Sequence, residues 1–268
     1  MSTVVFGWKQ PVVCVRAPAA WTDSVTALFP HYVLQASRAP LTFDLLPAGE
    51  GGTLRTLDGE QRAGSGPELL GLLEYELMSV LLEAASEHAH LHASGAVVSG
   101  RGVLALGPSG AGKSSVAFAW HRLGMPLLGD ETVLIDPAGS AHAFRRLIKL
   151  EADRARDGGV DPASTLGWDP ESSEIWYPPG PGGWAEGLVP VAVVARVQYQ
   201  AGAPLEMRAM SEAETLNVLM HSLQSGGASG PDALASLATL AESVVGLDVR
   251  FSDAVATAEA LVSKVQRS

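Results

Sequence analysis

At 268 residues, with 47% hydrophobic and 18% charged side chains, the chain is long enough for one substantial core, or for a main domain with a smaller one, and its composition excludes a disordered chain. A formal charge of −11, from 29 acidic and 18 basic residues, opposes a nucleic-acid partner, because no basic patch stands out beyond Arg145-Arg146. No apolar stretch approaches the ~18 residues a membrane span requires. The first ten residues lack the basic and apolar regions of a secretion signal, and the single Cys14 cannot close an internal disulfide, so the cytoplasm is the expected compartment.

Residues 1–66 are expected to form a small β-rich N-terminal part. Val12–Val15, His31–Leu34 and Leu41–Leu45 are strand-like and separated by Pro and Gly. From Pro67 to about Ala85 a broad stripe of Leu69, Leu70, Leu73, Leu77, Val80 and Leu81 predicts a helix, with Ser65 and Glu68 as its capping box. Two apolar runs, Ala93–Ser99 and Gly102–Leu106, predict buried strands. Residues 126–136 carry further apolar runs around Asp130-Glu131. The alternation of strands and helices predicts an α/β core over 67–268. Residues 151–188, rich in Asp, Gly and Pro, are expected to form a long mobile loop in which Trp168, Trp176, Tyr177 and Trp184 either anchor a substrate lid or pack the loop down. Order is expected to resume with a strand at Val189–Val197, a helix opened by Ser211-Glu212-Ala213-Glu214, a helix near 231–243, a strand near Val244–Phe251 and a last helix from Ser252.

The most informative segment is Gly107-Pro108-Ser109-Gly110-Ala111-Gly112-Lys113-Ser114, which fits the phosphate-binding pattern G-x-x-x-x-G-K-[ST] without a mismatch. It follows the apolar run Gly102–Leu106 and leads into the helix-compatible Lys113–Leu123, the strand, loop, helix order the motif needs. Glycines at 107, 110 and 112 let backbone N–H groups close on a polyphosphate at a helix N-terminus. In this arrangement Ser109, Ala111 and Ser115 line the same loop, Lys113 reaches the β- and γ-phosphates, and the Ser114 hydroxyl binds Mg²⁺. The expected cofactors are therefore ATP and Mg²⁺.

Beside the loop, Asp130 and Glu131 follow a short apolar run, where nucleotide-binding proteins of this kind keep a metal-facing acid. One acid can face the metal while the other takes a proton from an incoming hydroxyl; a solvated turn between two strands is the equal alternative. Arg145, Arg146 and Arg196 are candidates for covering charge on a transferring phosphoryl group. His88, His90 and His92 alternate and would share one face of a strand, but they lack the further ligand a zinc site normally recruits.

The run Leu91-His92-Ala93-Ser94-Gly95-Ala96-Val97-Val98, the phosphate loop, and Leu127-Leu128-Gly129-Asp130-Glu131 together resemble the catalytic domain of HPr kinase/phosphorylase. They are similar to stand-alone kinases of that family, such as those that tailor lasso peptides. The resemblance covers roughly residues 91–136. It implies an HPr-kinase/PEP-carboxykinase-like core, with Asp130 as general base, Glu131 near the metal or the phosphate-loop lysine, and His92 beside the acid pair and tuning it. It also implies a peptide or protein serine hydroxyl as acceptor, and an oligomer. Glu131 departs from the family's second aspartate, and no segment matches the signature of the reverse, phosphate-driven reaction. The function expected is transfer of the γ-phosphoryl group of ATP to serine; the alternatives are a nucleotide-binding interaction module, or an NTPase without an acceptor.

Overall fold

The computed structural model describes residues 1–48, 51–153, 160, 165 and 174–268. These residues form two compact units, one from 1–86 with 149–178 and the other from 87–148 with 179–268. The partition differs from the boundary read at residue 67. The helix after that residue turns its apolar stripe onto the N-terminal strands, and 149–178 returns to the same unit.

In the first unit Ser2–Gly7 (β1), Pro11–Ala17 (β2), Leu41–Ala48 (β3), Gly51–Arg55 (β4) and Gln61–Gly64 (β5) form one sheet in sequence order. β2 and β3 are parallel and the other pairs antiparallel. A parallel pair needs a crossover, and helix Thr22–Leu28 (α1) lies on it. The expected strand at His31–Leu34 is not formed: Pro30–Tyr32 is a single 3₁₀ turn, with Pro at its start, and only Val33 bridges to Phe6. Helix Gly66–Glu83 (α2) is capped by the Ser65–Glu68 box, and buries Leu69, Leu73, Leu77, Val80 and Leu81.

Glu74 is also buried on α2, and Lys149 Nζ meets its carboxylate at 3.1 Å. Lys149 lies on Ile148–Glu151 (β12), which pairs with Glu174–Tyr177 (β13), and its ammonium stands 5.1 Å from the Trp176 ring centroid. The described parts of the expected mobile loop are therefore in part ordered strand. Trp176 packs near Gly71, because a buried carboxylate needs a cation and the aromatic face supports that cation. Trp168 lies outside the described residues.

The second unit is built on a nine-stranded sheet. Its main path runs Ala89–Leu91 (β6), Val133–Ile135 (β10), Ser140–Ala143 (β11), Leu188–Tyr199 (β14), Arg101–Leu106 (β8), Ala93–Val98 (β7) and Leu127–Gly129 (β9). Glu206–Ala209 (β15) and Val245–Phe251 (β16) extend it beside β14. β8, β14 and β16 are parallel, and β8 and residues 191–195 of β14 are nearly continuous in buried apolar residues, as strands covered on both faces should be. Leu104, Leu106 and Val194 join a core cluster with Glu212–His221 (α4) and Gly230–Ser243 (α5). Lys113–Arg122 (α3) packs against Ala254–Arg267 (α6), with Trp120 Nε1 donating to the Ala258 carbonyl at 3.3 Å. α4 begins at a Ser211–Glu214 capping box, and Asp253 caps α6. Trp184 is buried and bridges to Leu127, so in this unit it is a packing residue. Among the described residues no helix is long and apolar enough to cross a membrane.

Candidate functional site

Sheet register brings the sequence-predicted residues to one end of the second unit. β8 ends at Leu106, where the phosphate-loop sequence begins, and β7 runs antiparallel to it with Ala93 opposite Leu106 and Ser94 opposite Ala105. The start of β7, directly after His92, therefore lies beside the loop. β9 pairs Gly129 with Gly95 of β7, which delivers Asp130 to the same end. β14 reaches it too, where the Tyr199 N–H donates to the Ala111 carbonyl at 3.0 Å.

The loop from 107 to 112 depends on its glycines at two places. A Cβ on Gly107 would stand 2.7 Å from the Val197 carbonyl oxygen, and one on Gly112, at φ 92°, would stand 2.6 Å from Phe251 Cζ. Gly112 caps α3, so Lys113 and Ser114 open that helix and present the positive end of its dipole. Ser109 and Gly110 are exposed, Ala111 and Lys113 are buried, and Ser114 and Ser115 are half-buried. Lys113 Nζ donates to the carbonyls of Gly107 at 2.8 Å and Pro108 at 3.0 Å. Burial pulls its ammonium below the usual lysine range, while Glu131 and Asp130 pull the other way.

The acid pair occupies a tight reversal between β9 and β10. A Cβ on Gly129 would meet the Thr132 carbonyl oxygen at 1.9 Å, so only glycine fits there. Glu131 adopts φ 72°, a left-handed conformation uncommon for a non-glycine residue. Asp130 is 1% exposed. Its Oδ1 accepts from the Ser94 hydroxyl at 2.6 Å. Its Oδ2 is buried with no donor in hydrogen-bonding geometry among the described residues. Burial pushes this carboxyl above the usual carboxylate range and the Glu131 charge adds to the push. The Ser94 and Ser114 hydroxyls and the Arg146 charge oppose it, Ser114 being close enough to act without meeting the geometry of a bond. This is no solvated turn.

His92 stands beside the acid pair, against its backbone. Its Nδ1 lies 3.1 Å from the Glu131 backbone carbonyl, not on either carboxylate. The Gln224 amide reaches the same carbonyl at 3.4 Å, and its side-chain oxygen accepts from Thr132 Oγ1 at 3.2 Å. His92 and Gln224 thus hold the strained reversal from outside. His88 and His90 are buried, with the His88 ring 6.1 Å from that of His142. Among the described residues no group of three or more His, Cys, Asp or Glu gathers as a metal site.

The arginines separate. Arg146 is buried and its charge acts on Asp130. Arg145 donates to the Ala185 carbonyl at 2.9 Å. Arg196 is held bidentately by Asp248 at 2.8 and 2.6 Å, in a surface network that includes Arg208 and Glu214. Its guanidinium is committed to a carboxylate, which removes it from the candidates for the phosphoryl group. Ser94 was missed in the sequence. No local signal marks it, because only the pairing of Gly95 with Gly129 brings it to Asp130.

No family model and no curated protein matches the chain. Among solved structures it is similar to the Hpr(Ser) kinase/phosphatase from Coxiella burnetii, at 12% identity and a TM-score of 0.31, over 66% of this chain and 94% of that one. At that TM-score the likeness carries no argument about fold or activity.

Proposed function

We propose that the second unit is an ATP- and Mg²⁺-dependent kinase that transfers a phosphoryl group to the serine hydroxyl of a peptide or protein. The observation that carries this reading is a buried carboxylate with one uncommitted oxygen, Asp130 Oδ2, in the electrostatic reach of a phosphate-loop lysine and serine. A module that only binds nucleotide has no need of such a group, whose burial is costly unless it is used.

The residues fit the nucleotide. Gly107 and Gly112 let the loop pack against Val197 and Phe251 where a Cβ would collide, and α3, which the loop leads into, offers a positive N-terminus to phosphate. Lys113 exchanges its two carbonyl partners for phosphate oxygens, and Ser114 with Glu131 would hold Mg²⁺. When bound, the metal neutralises charge on the phosphates. Asp130 Oδ2 takes the proton of the acceptor hydroxyl as the O–P bond forms and the bond to the ADP oxygen breaks, and Arg146 faces the charge on the transferring group.

The test is incubation of the whole chain with Mg-ATP labelled in the γ position and an array of peptides with internal and terminal serines, read by transferred label and by intact mass. A phosphate adduct on serine that disappears in Lys113→Ala supports the reading. Steady ADP release with no labelled acceptor supports the NTPase alternative, and neither product supports the interaction module.

A further inference from the structure

We infer that Ser94 is a positioning residue of this site, whose hydroxyl fixes the Asp130 carboxyl so that Oδ2, and not Oδ1, meets the acceptor. The inference rests on the kinase reading for its consequence but on geometry for its substance.

Ser94 is fully buried on β7, and its hydroxyl has one proton to give. That proton goes to Asp130 Oδ1 over 2.6 Å, the short distance of a bond to an ionised acceptor. The two oxygens of a carboxylate are chemically equivalent and exchange by a half-turn of the terminal torsion, which has no strong staggered preference of its own. Something must break that equivalence if one oxygen is to be aimed. The backbone fixes only where the side chain starts: Gly129 is clamped against Thr132 and Glu131 is held left-handed. Ser94 fixes where it ends. β7 and β9 are hydrogen-bonded neighbours at Gly95 and Gly129, so donor and acceptor are carried by adjacent strands of one sheet and cannot drift apart. Oδ2 is then the oxygen without a bonded donor.

A purely structural serine, present only to satisfy a buried acid, makes a different prediction, and three variants separate the two. Ser94→Ala should leave the Mg-ATP Kd within about twofold and lower kcat roughly 10- to 100-fold, the loss expected for a bond to a charged group, on the serine peptide that accepts best in the array. Ser94→Thr, which keeps the hydroxyl, should restore most of kcat. An unchanged kcat, a loss confined to Kd, or a threonine variant as poor as alanine overturns the inference. If the wild-type chain transfers nothing to any peptide, it is the kinase reading that fails. Thermal unfolding of Ser94→Ala, Asp130→Asn and the double variant then tests the bond on which the inference stands: non-additive midpoints uphold it, and additive ones overturn the inference.

Discussion

Replacing Asp130 by asparagine should move stability and turnover in opposite directions. The side chain is 1% exposed, one oxygen is held by Ser94 at 2.6 Å and the other meets no donor in hydrogen-bonding geometry. Burying a carboxylate costs several kcal/mol. The Ser94 bond returns about 1.5–3 kcal/mol, and the Arg146 and Lys113 charges return part of the rest. Burial is the largest influence on this carboxyl and holds it above the usual carboxylate range. A neutral isostere should therefore raise the unfolding free energy by roughly 1–2 kcal/mol, or the melting temperature by about 2–8 °C for a chain of this size. The pH dependence has a definite sign. Between the unfolded carboxylate value and the higher folded value the native state holds the extra proton, so stability falls as pH rises through that window. Carboxylates such as Glu214, held down to about 2 by Arg208 and the Ser211 cap, act oppositely in acid. The difference between wild type and variant isolates Asp130. Melting curves from pH 4 to 8 should show a gap that is smallest in acid and opens toward neutrality. Transfer in the same variant should drop about 10²- to 10⁴-fold with Mg-ATP binding retained. A variant less stable than wild type at pH 7, or one that transfers normally, would refute the reasoning.

Further outcomes follow from the same geometry. Gly112→Ala forces a Cβ to 2.6 Å from the buried Phe251 ring at φ 92°, costing about 2–5 kcal/mol from left-handed strain and overpacking together; calorimetry should show a melting point roughly 5–15 °C lower. Arg196→Ala should leave transfer within about twofold, because its guanidinium is bound to Asp248, whereas Arg146→Lys should lower kcat at least tenfold by replacing a planar fork with a point charge. Steady-state rates on the accepting peptide check both.

Much of the second unit was legible because its signals are local. The phosphate loop announces itself through glycine spacing, the strand before it through an unbroken apolar run, and the helix at 212–221 through Ser211 and Glu214. What was not legible depends on register between distant segments. Nothing near Ser94 marks it as a partner of Asp130, 36 residues on; only the pairing of Gly95 with Gly129 brings them together. The atom that His92 meets beside the acid pair is likewise set by the fold: its ring goes to the Glu131 backbone carbonyl, in a turn where Glu131 is left-handed. The segment after residue 150 reads as loop from its Pro and Gly content, yet Glu174–Tyr177 pairs with Ile148–Glu151. There the decisive contacts, Lys149 with Glu74 and Trp176, span 75 and 27 residues, and no windowed pattern carries them.

The two bonds from Lys113 back to Gly107 and Pro108 give one amine two jobs. On the proposed function it is the latch of its own loop as well as the hand for phosphate, so nucleotide entry would be a trade of partners at a single nitrogen and not the filling of a rigid mould. Substituting that lysine unfastens the loop at the same stroke, and a loss of binding in such a variant reports on the latch as much as on the missing charge.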